Sequence, residues 1–245
     1  MQTSLAVRLG KLELKNPILT ASGTFGYGQE FDEFVDLNRL GGIITKSVTR
    51  NARIGNPPHR IVEVPGGLLN SIGLANVGVE SFISDKMPFL RTLQCRKIVN
   101  IAGESLEEFA EVLTKLEESP EGIDGYEVNL SCPNVEEGGR TFGKDPKQVF
   151  LITQALRKIT DRPLIVKLTP DCSDIGQLGL AAQEGGADIL SAINTFVGMA
   201  IDSRKRKPVL GTVTGGFSGP ALKSLALAKV YELGQTVSLP IIGIG

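Results

Sequence analysis

The sequence predicts an α/β fold, a (β/α)8 barrel of the TIM type preceded by a β-hairpin. Three observations carry this. Short runs rich in Ile, Val and Leu recur along the chain without strict alternation, as in strands buried on both faces. Amphipathic segments with helix-capping signals separate them, so strand–helix–strand units repeat and the sheet is parallel. The 245 residues, 41% of them hydrophobic, suffice for one large core, and residues 1–245 read as one domain.

The opening "LAVRLGKLELKN" stands outside the alternation and reads as a short hairpin turning at Gly10-Lys11, placed to cap the bottom of the barrel. Strands are expected at Pro17–Ala21, Gly42–Lys46, Lys97–Ile101, Gly125–Leu130, Pro163–Leu168, Ala187–Ile193 and Leu239–Ile244. Between them, "SLEEFAEVLTKLEES" starts on the capping-box pair Ser105 and Glu108 and aligns Leu106, Phe109, Leu113 and Leu116 on one face. "DPKQVFLITQALRKI" places Asp145 as N-cap and Pro146 at the first helical position, with Val149, Ile152, Leu156 and Ile159 as its stripe. "SDIGQLGLAAQEGGA" stops on Gly185-Gly186. "GPALKSLALAKVYELGQ" is expected to start at Pro220 and end at Gly234. Seven strands favour a barrel over an open sheet. The chain reaches only the end of the seventh, at "PIIGIG", so an eighth strand is missing: either the chain is a fragment or another segment closes the barrel.

Composition excludes several functions. A net charge of −1 and a pI near 6.0 give no basic excess for nucleic acid. The longest apolar runs are strand-sized, too short to span a bilayer, and no signal-peptide core opens the chain; a cytoplasmic location is expected. Cys95, Cys132 and Cys172 are three, far apart and without CxxC, which argues against disulfides and zinc. One histidine, His59, excludes a His-rich metal site and disfavours a Ser-His-Asp triad. No metal is expected, and a general base must be another residue type.

Catalytic groups of such barrels lie at the C-terminal ends of the strands. Those ends read Ser22-Gly23, Lys46-Ser47, Asn100, Asn129 with Cys132 and Asn134, Lys167, Asn194-Thr195, and Gly243 with Gly245. Two lysines and four asparagines at one mouth suit a planar, partly anionic ligand with amide or imide edges. Each residue alone has a plainer reading: strand-end Asn forms turns, loop Lys is solvated, and Cys is a small buried apolar residue. Cys95 and Cys172 take that plainer reading. Cys132 sits in a loop between two asparagines, and the local pattern alone leaves it open.

Together "NLSCPN", "ASGTFGYGQEF", "TKSVT", "GNPPHR", "LLNSIGL", "IVKLTP" and "INT" resemble the catalytic subunit of class 1 dihydroorotate dehydrogenases. "DSRKRKPVLGTVTGGFSGPALK" is similar to the NAD-linked class 1B branch, and the resemblance runs from Leu5 to Gly245. It implies an FMN barrel that oxidises (S)-dihydroorotate to orotate in pyrimidine (UMP) biosynthesis. Cys132 is then the general base, taking the C5 proton while the C6 hydride goes to FMN.

The resemblance also implies roles at individual positions. Asn70, Ser71, Ile72, Gly73 and Leu74 match the loop around the orotate ring and carboxylate. Asn129, Asn134, Asn194 and Thr195 match contacts to the pyrimidine. Lys46 matches a lysine between flavin and substrate carboxylate, and Lys167 one near the flavin N1 edge. Ala21, Ser22, Ser47, Asn100, Asn129, Ile193, Gly219 and Gly245 match further FMN contacts. A partner subunit carrying FAD and a 2Fe-2S cluster is implied as the route to NAD+, with a catalytic homodimer inside a heterotetramer. This chain has too few cysteines for that cluster and no GxGxxG after a strand.

The family's second glycine after Gly245 and its eighth-strand phosphate motif are absent from the sequence, from which weak FMN binding and low stability are expected. "RKRKP" at 204–208 reads either as a solvated charge run or as a mobile loop beside the site. Two other readings compete: a related FMN barrel of dihydropyrimidine dehydrogenase type, and an inactive truncated barrel.

Overall fold

The computed structural model describes residues 4–119, 121–131 and 142–245. In chain order the strands are β1 (Val7–Leu9), β2 (Leu12–Leu14), β3 (Gly42–Ile44), β4 (Ile61–Val64), β5 (Gly67–Asn70), β6 (Arg96–Ile101), β7 (Gly125–Asn129), β8 (Leu164–Leu168), β9 (Ile189–Ala192), β10 (Phe196–Met199), β11 (Ile201–Asp202), β12 (Lys207–Pro208), β13 (Thr214–Ser218) and β14 (Ile241–Gly243). The helices are α1 (Gly78–Ser81), α2 (Met87–Thr92), α3 (Leu106–Glu118), α4 (Pro146–Arg157), α5 (Ile175–Glu184) and α6 (Lys223–Thr236).

Six strands form a parallel sheet in the order β14-β9-β8-β7-β6-β3. It is the curled wall of an α/β barrel. The expected strand at Pro17–Ala21 is reduced to one parallel bridge, Leu19 to Gly42. Pro17 has no N–H to donate, and the Ile18 carbonyl instead accepts from both Gly41 and Gly42. Beyond this segment the wall is open. A cavity of about 290 Å³ lies between residues 17–21 and Ile242–Gly245, and among the described residues no strand lies there.

The strands carry two apolar faces, as their unbroken composition requires. Ile44, Ile98, Ile165 and Ile189 point inward with Leu12 and Leu14, so the β1–β2 hairpin plugs the barrel floor. Burying those two leucines contributes roughly 2 kcal/mol each. The hairpin turns at Gly10-Lys11 as expected, with Gly10 at φ +57°. Outward residues, among them Val99, Tyr126, Val128, Val166 and Leu190, pack against Phe109, Leu113, Val149, Leu156 and Leu178 of the helices.

The capping signals are realised. Ser105 Oγ accepts from the Glu108 amide, while the Glu108 carboxylate reaches back to the Glu104 amide. Asp145 caps α4 through the Lys147 amide, and Asp174 caps α5 through that of Gln177. Between α1 and α2, Phe82–Lys86 forms a π-helical turn. Pro88 follows it, and a widened turn relieves the clash of a proline ring with the preceding carbonyls.

Helix α6 corrects the expected boundaries. Pro220–Leu222 forms a 3-10 turn before it, and Gly234 lies inside it. Gly234 carries no left-handed φ, and the helix ends where Val237 turns extended and packs into the core.

Sequence periodicity missed the second sheet altogether. Strands β10-β13-β5-β4 form an antiparallel layer over the barrel mouth, with Phe196 opposite Phe217 and Asn70 opposite Gly216. Its strands are short and glycine-rich, so no run is long enough to show a period. β11 and β12 pair as a small hairpin, and "RKRKP" occupies its turn and second strand, with Asp202 Oδ1 accepting from the Arg204 and Lys205 amides.

Candidate functional site

The polar strand ends meet. On the inward-facing side of the sheet, the isoleucine layer gives way to Asn100 on β6, Glu127 and Asn129 on β7, Lys167 on β8 and Ser191 on β9. Parallel register sets Asn100 beside Glu127, Asn129 beside Lys167, and Lys167 beside Ser191. Period-two alternation then brings these side chains to one face.

A continuous set of hydrogen bonds links five strand ends. Thr195 donates to Asn194 Oδ1 through its backbone N–H at 2.8 Å and its hydroxyl at 3.5 Å. Asn194 Nδ2 donates to Asn129 Oδ1 at 3.1 Å, and Asn129 Nδ2 to Ser47 Oγ at 3.5 Å. Ser47 Oγ donates to Asn100 Oδ1 at 2.5 Å, and Asn100 Nδ2 to Glu127 Oε1 at 2.6 Å. Ser191 Oγ donates to the other carboxylate oxygen at 2.8 Å. Lys167 Nζ stands 3.8 Å from Glu127 and donates to Ser22 Oγ at 3.1 Å. Glu127 is fully buried, and its neutralisation by Lys167 answers the cost of burying a carboxylate.

The second sheet brings the 70–74 segment to the mouth. Asn70 Nδ2 donates to the Gly216 carbonyl, and Gly216 packs so closely on Thr195 that a Cβ there would meet Thr195 Oγ1 at 2.2 Å. Asn56 Nδ2 donates to the Ser71 carbonyl, the Asn56 backbone N–H to the Ile72 carbonyl, and the Ser71 backbone N–H to the Arg60 carbonyl. Gly73 and Leu74 both take positive φ, +72° and +53°. Ser71 Oγ is buried and has no hydrogen-bond partner among the described residues. A buried hydroxyl in that state fits a site that takes a polar ligand.

Lys46 is half-buried just beyond β3. Burial lowers its pKa from the usual lysine value, the Arg60 cation adds to this, and Glu30 opposes it. Ala21 and Gly245 face each other across the 290 Å³ cavity, and Ile193 bonds through its amide to the Ile244 carbonyl. Gly219, at φ +121°, packs against Gly67, where a Cβ would meet backbone at 2.7 Å. Backbone this open suits close approach by a ligand. Cys132 and Asn134 lie outside the described residues.

Glu127 and Ser191 were missed by sequence reasoning. The available signal was a glutamate inside a strand otherwise buried on both faces.

A barrel whose strand ends converge in amides, hydroxyls and a lysine paired with a buried carboxylate belongs to the class that binds a polar ligand at its C-terminal rim. Comparison with known proteins narrows the class. The chain belongs to the dihydroorotate dehydrogenase family, whose model matches residues 4–245. It is 51% identical over 242 residues to the dihydroorotate dehydrogenase B (NAD(+)), catalytic subunit, of Thermoanaerobacter pseudethanolicus, covering 99% of this chain and 80% of that one. The similarly named protein of Pelobacter propionicus is 51% identical over 245 residues, covering 100% and 80%. That of Geobacter sulfurreducens is 50% identical over 241 residues, covering 98% and 79%. Among the described residues, no helix is long and apolar enough to cross a membrane.

Proposed function

We propose that this protein oxidises (S)-dihydroorotate to orotate as a cytoplasmic FMN-dependent catalytic subunit in pyrimidine biosynthesis. Electrons pass on to NAD+ through a partner subunit holding FAD and a 2Fe-2S cluster. The assembly is a homodimer of catalytic subunits within a heterotetramer. The observation that carries the reading is the hydrogen-bonded set of strand ends from Thr195 to Glu127, in a chain half identical to subunits named for this reaction.

FMN, when bound, supplies the hydride acceptor. Ser22, Ser47, Asn100, Lys167, Ala21, Ile193, Gly219 and Gly245 would hold it. Lys167, paired from below with the Glu127 carboxylate, would present its ammonium to the cofactor and favour negative charge there. Asn129, Asn134, Asn194 and Thr195 orient the pyrimidine ring through its amide edges, and the 70–74 segment encloses the ring and carboxylate. Lys46 pairs with the substrate carboxylate. Cys132 removes the proton from C5, next to the carbonyl, as a thiolate. Proton loss from C5 and hydride loss from C6 together leave the C5–C6 double bond of orotate.

The test is the visible spectrum of the purified chain with FMN, before and after anaerobic dihydroorotate. Bound flavin should bleach, and Cys132→Ser should slow this strongly at neutral pH. Bleaching by dihydrouracil but not dihydroorotate would replace this reading with a dihydropyrimidine reductase. Bound flavin that responds to neither substrate would overturn both.

A further inference from the structure

The 70–74 segment is held along one side by residues 53–60, peptide by peptide. The Ser71 N–H donates to the Arg60 carbonyl at 2.8 Å, and the Ile72 carbonyl accepts from the Asn56 N–H at 3.0 Å. These backbone bonds fix the peptide planes before and after the one that joins Ser71 to Ile72. A plane between two fixed neighbours still has two orientations, because the dihedrals on either side of it rotate against each other. The Ser71–Ile72 plane is held at one point, where its carbonyl accepts from Asn56 Nδ2 at 2.8 Å. A carbonyl only accepts, so the Asn56 group that faces it is the NH2. Packing is close around this contact. A Cβ on Gly55 would meet the Ile72 carbonyl oxygen at 2.3 Å, and one on Gly73 would meet the Asn56 backbone nitrogen at 2.8 Å.

The Ser71–Ile72 bond is trans, so its N–H lies opposite its carbonyl. With the carbonyl turned to Asn56, the Ile72 N–H is turned away from residues 53–60. Among the described residues it has no partner. The buried Ser71 hydroxyl beside it has none either. Two unpaired donors on adjacent residues suit an oxygen anion of a ligand.

We propose that Asn56 is a positioning residue: its side-chain amide selects the orientation of the Ser71–Ile72 peptide and so aims the Ile72 N–H at the substrate carboxylate. The carboxylate rests on the function proposed above; the peptide orientation does not. Asn56→Asp replaces the donor with a group that only accepts. Its carboxylate repels the Ser71 carbonyl and attracts the Ile72 N–H, which reverses the plane. Asn56→Ala removes the hold and favours neither orientation.

The sequence offers a selective probe, because Ser-Ile occurs once, at 71–72. The whole chain, made by cell-free synthesis with 13C-carbonyl serine and 15N-isoleucine, gives one carbonyl-linked amide signal by NMR, that of Ile72. Its residual dipolar coupling reads the direction of the N–H. The coupling should change in Asn56→Asp and take an intermediate value in Asn56→Ala. In FMN-loaded protein, orotate affinity should fall about tenfold in Asn56→Asp, the scale of one lost hydrogen bond. Uracil, which has no carboxylate, should bind as it does to the unsubstituted chain, whereas general damage to the site would weaken both ligands alike. Should Asn56→Asp not fold, Asn56→Ala carries the same two readings, with a smaller loss of orotate affinity.

An unchanged coupling, undiminished orotate binding, or equal loss of orotate and uracil overturns the proposal. A coupling that changes in a protein whose unsubstituted form binds no orotate would support the held peptide and overturn the pyrimidine reading instead.

Discussion

Lys167 Nζ donates to Ser22 Oγ at 3.1 Å, tying the end of β8 to the segment that follows the Leu19 bridge, 145 residues earlier in the chain. The same ammonium lies 3.8 Å from the buried Glu127 carboxylate. Replacing Lys167 with Ala therefore leaves a buried charge without its counterion. Loss of one partner of such a pair costs about 3 kcal/mol. Urea denaturation should show this for Lys167→Ala, and a smaller loss for the double variant Lys167→Met with Glu127→Leu, in which no charge is left behind.

Gly216 carries the contact between the two sheets. A methyl group there would meet Thr195 Oγ1 at 2.2 Å and Thr195 Cβ at 2.8 Å. Gly216→Ala should push Thr195 from its bond to Asn194 and weaken orotate binding about tenfold, the scale of one lost hydrogen bond with its unpaired partner. Calorimetric titration checks the loss of binding, and a thermal melt should show the accompanying overpacking cost, about 1–3 kcal/mol.

On the proposed mechanism, two groups should bound the activity in pH. A free cysteine titrates near about pH 8.5, so the proton-accepting form of Cys132 should increase as pH rises through that region. Lys46 sits below the usual lysine range because of burial, reinforced by Arg60, and loses its charge as pH rises further. The rate of flavin reduction should therefore rise and then fall. Removing the Arg60 cation, as in Arg60→Ala, should move the alkaline limb upward, and Glu30→Gln should move it downward. A profile flat from mildly acidic to alkaline pH would contradict the assignment of Cys132.

Asp124 governs stability in acid. Burial would raise its pKa, but the Lys97 amide, the Arg96 guanidinium and the Lys97 ammonium outweigh this and hold it below the ordinary aspartate value of 3.8. The amide and the guanidinium each donate at 2.8 Å. A depressed folded-state pKa means that the unfolded chain binds the proton first as pH falls. The stabilisation is complete above the unfolded value and is lost as pH drops through the folded one. Asp124→Asn should cost about 2 kcal/mol at neutral pH, the scale of charged hydrogen bonds. The gap to the unsubstituted protein should narrow in urea titrations as pH falls below the reference aspartate value.

The sequence by itself determined the alternation of strands and helices, the floor-capping hairpin and the caps at Ser105 and Asp145. It also showed which strand ends carry polar side chains. These are local matters: burial on both faces leaves unbroken apolar runs, and a capping side chain reaches only two or three residues. Only the tertiary structure decided which polar residues meet. Ser22 and Lys167 come together across 145 residues, and Glu127 reads in sequence as one charge in an apolar run until register sets it beside Asn100. The antiparallel layer over the mouth, the continuation of α6 through Gly234 and the reduction of residues 17–21 to a single bridge are of the same kind. Each depends on what the backbone finds to pair with or pack against, and a short glycine-rich run specifies its partner only once the rest of the chain has brought one to it.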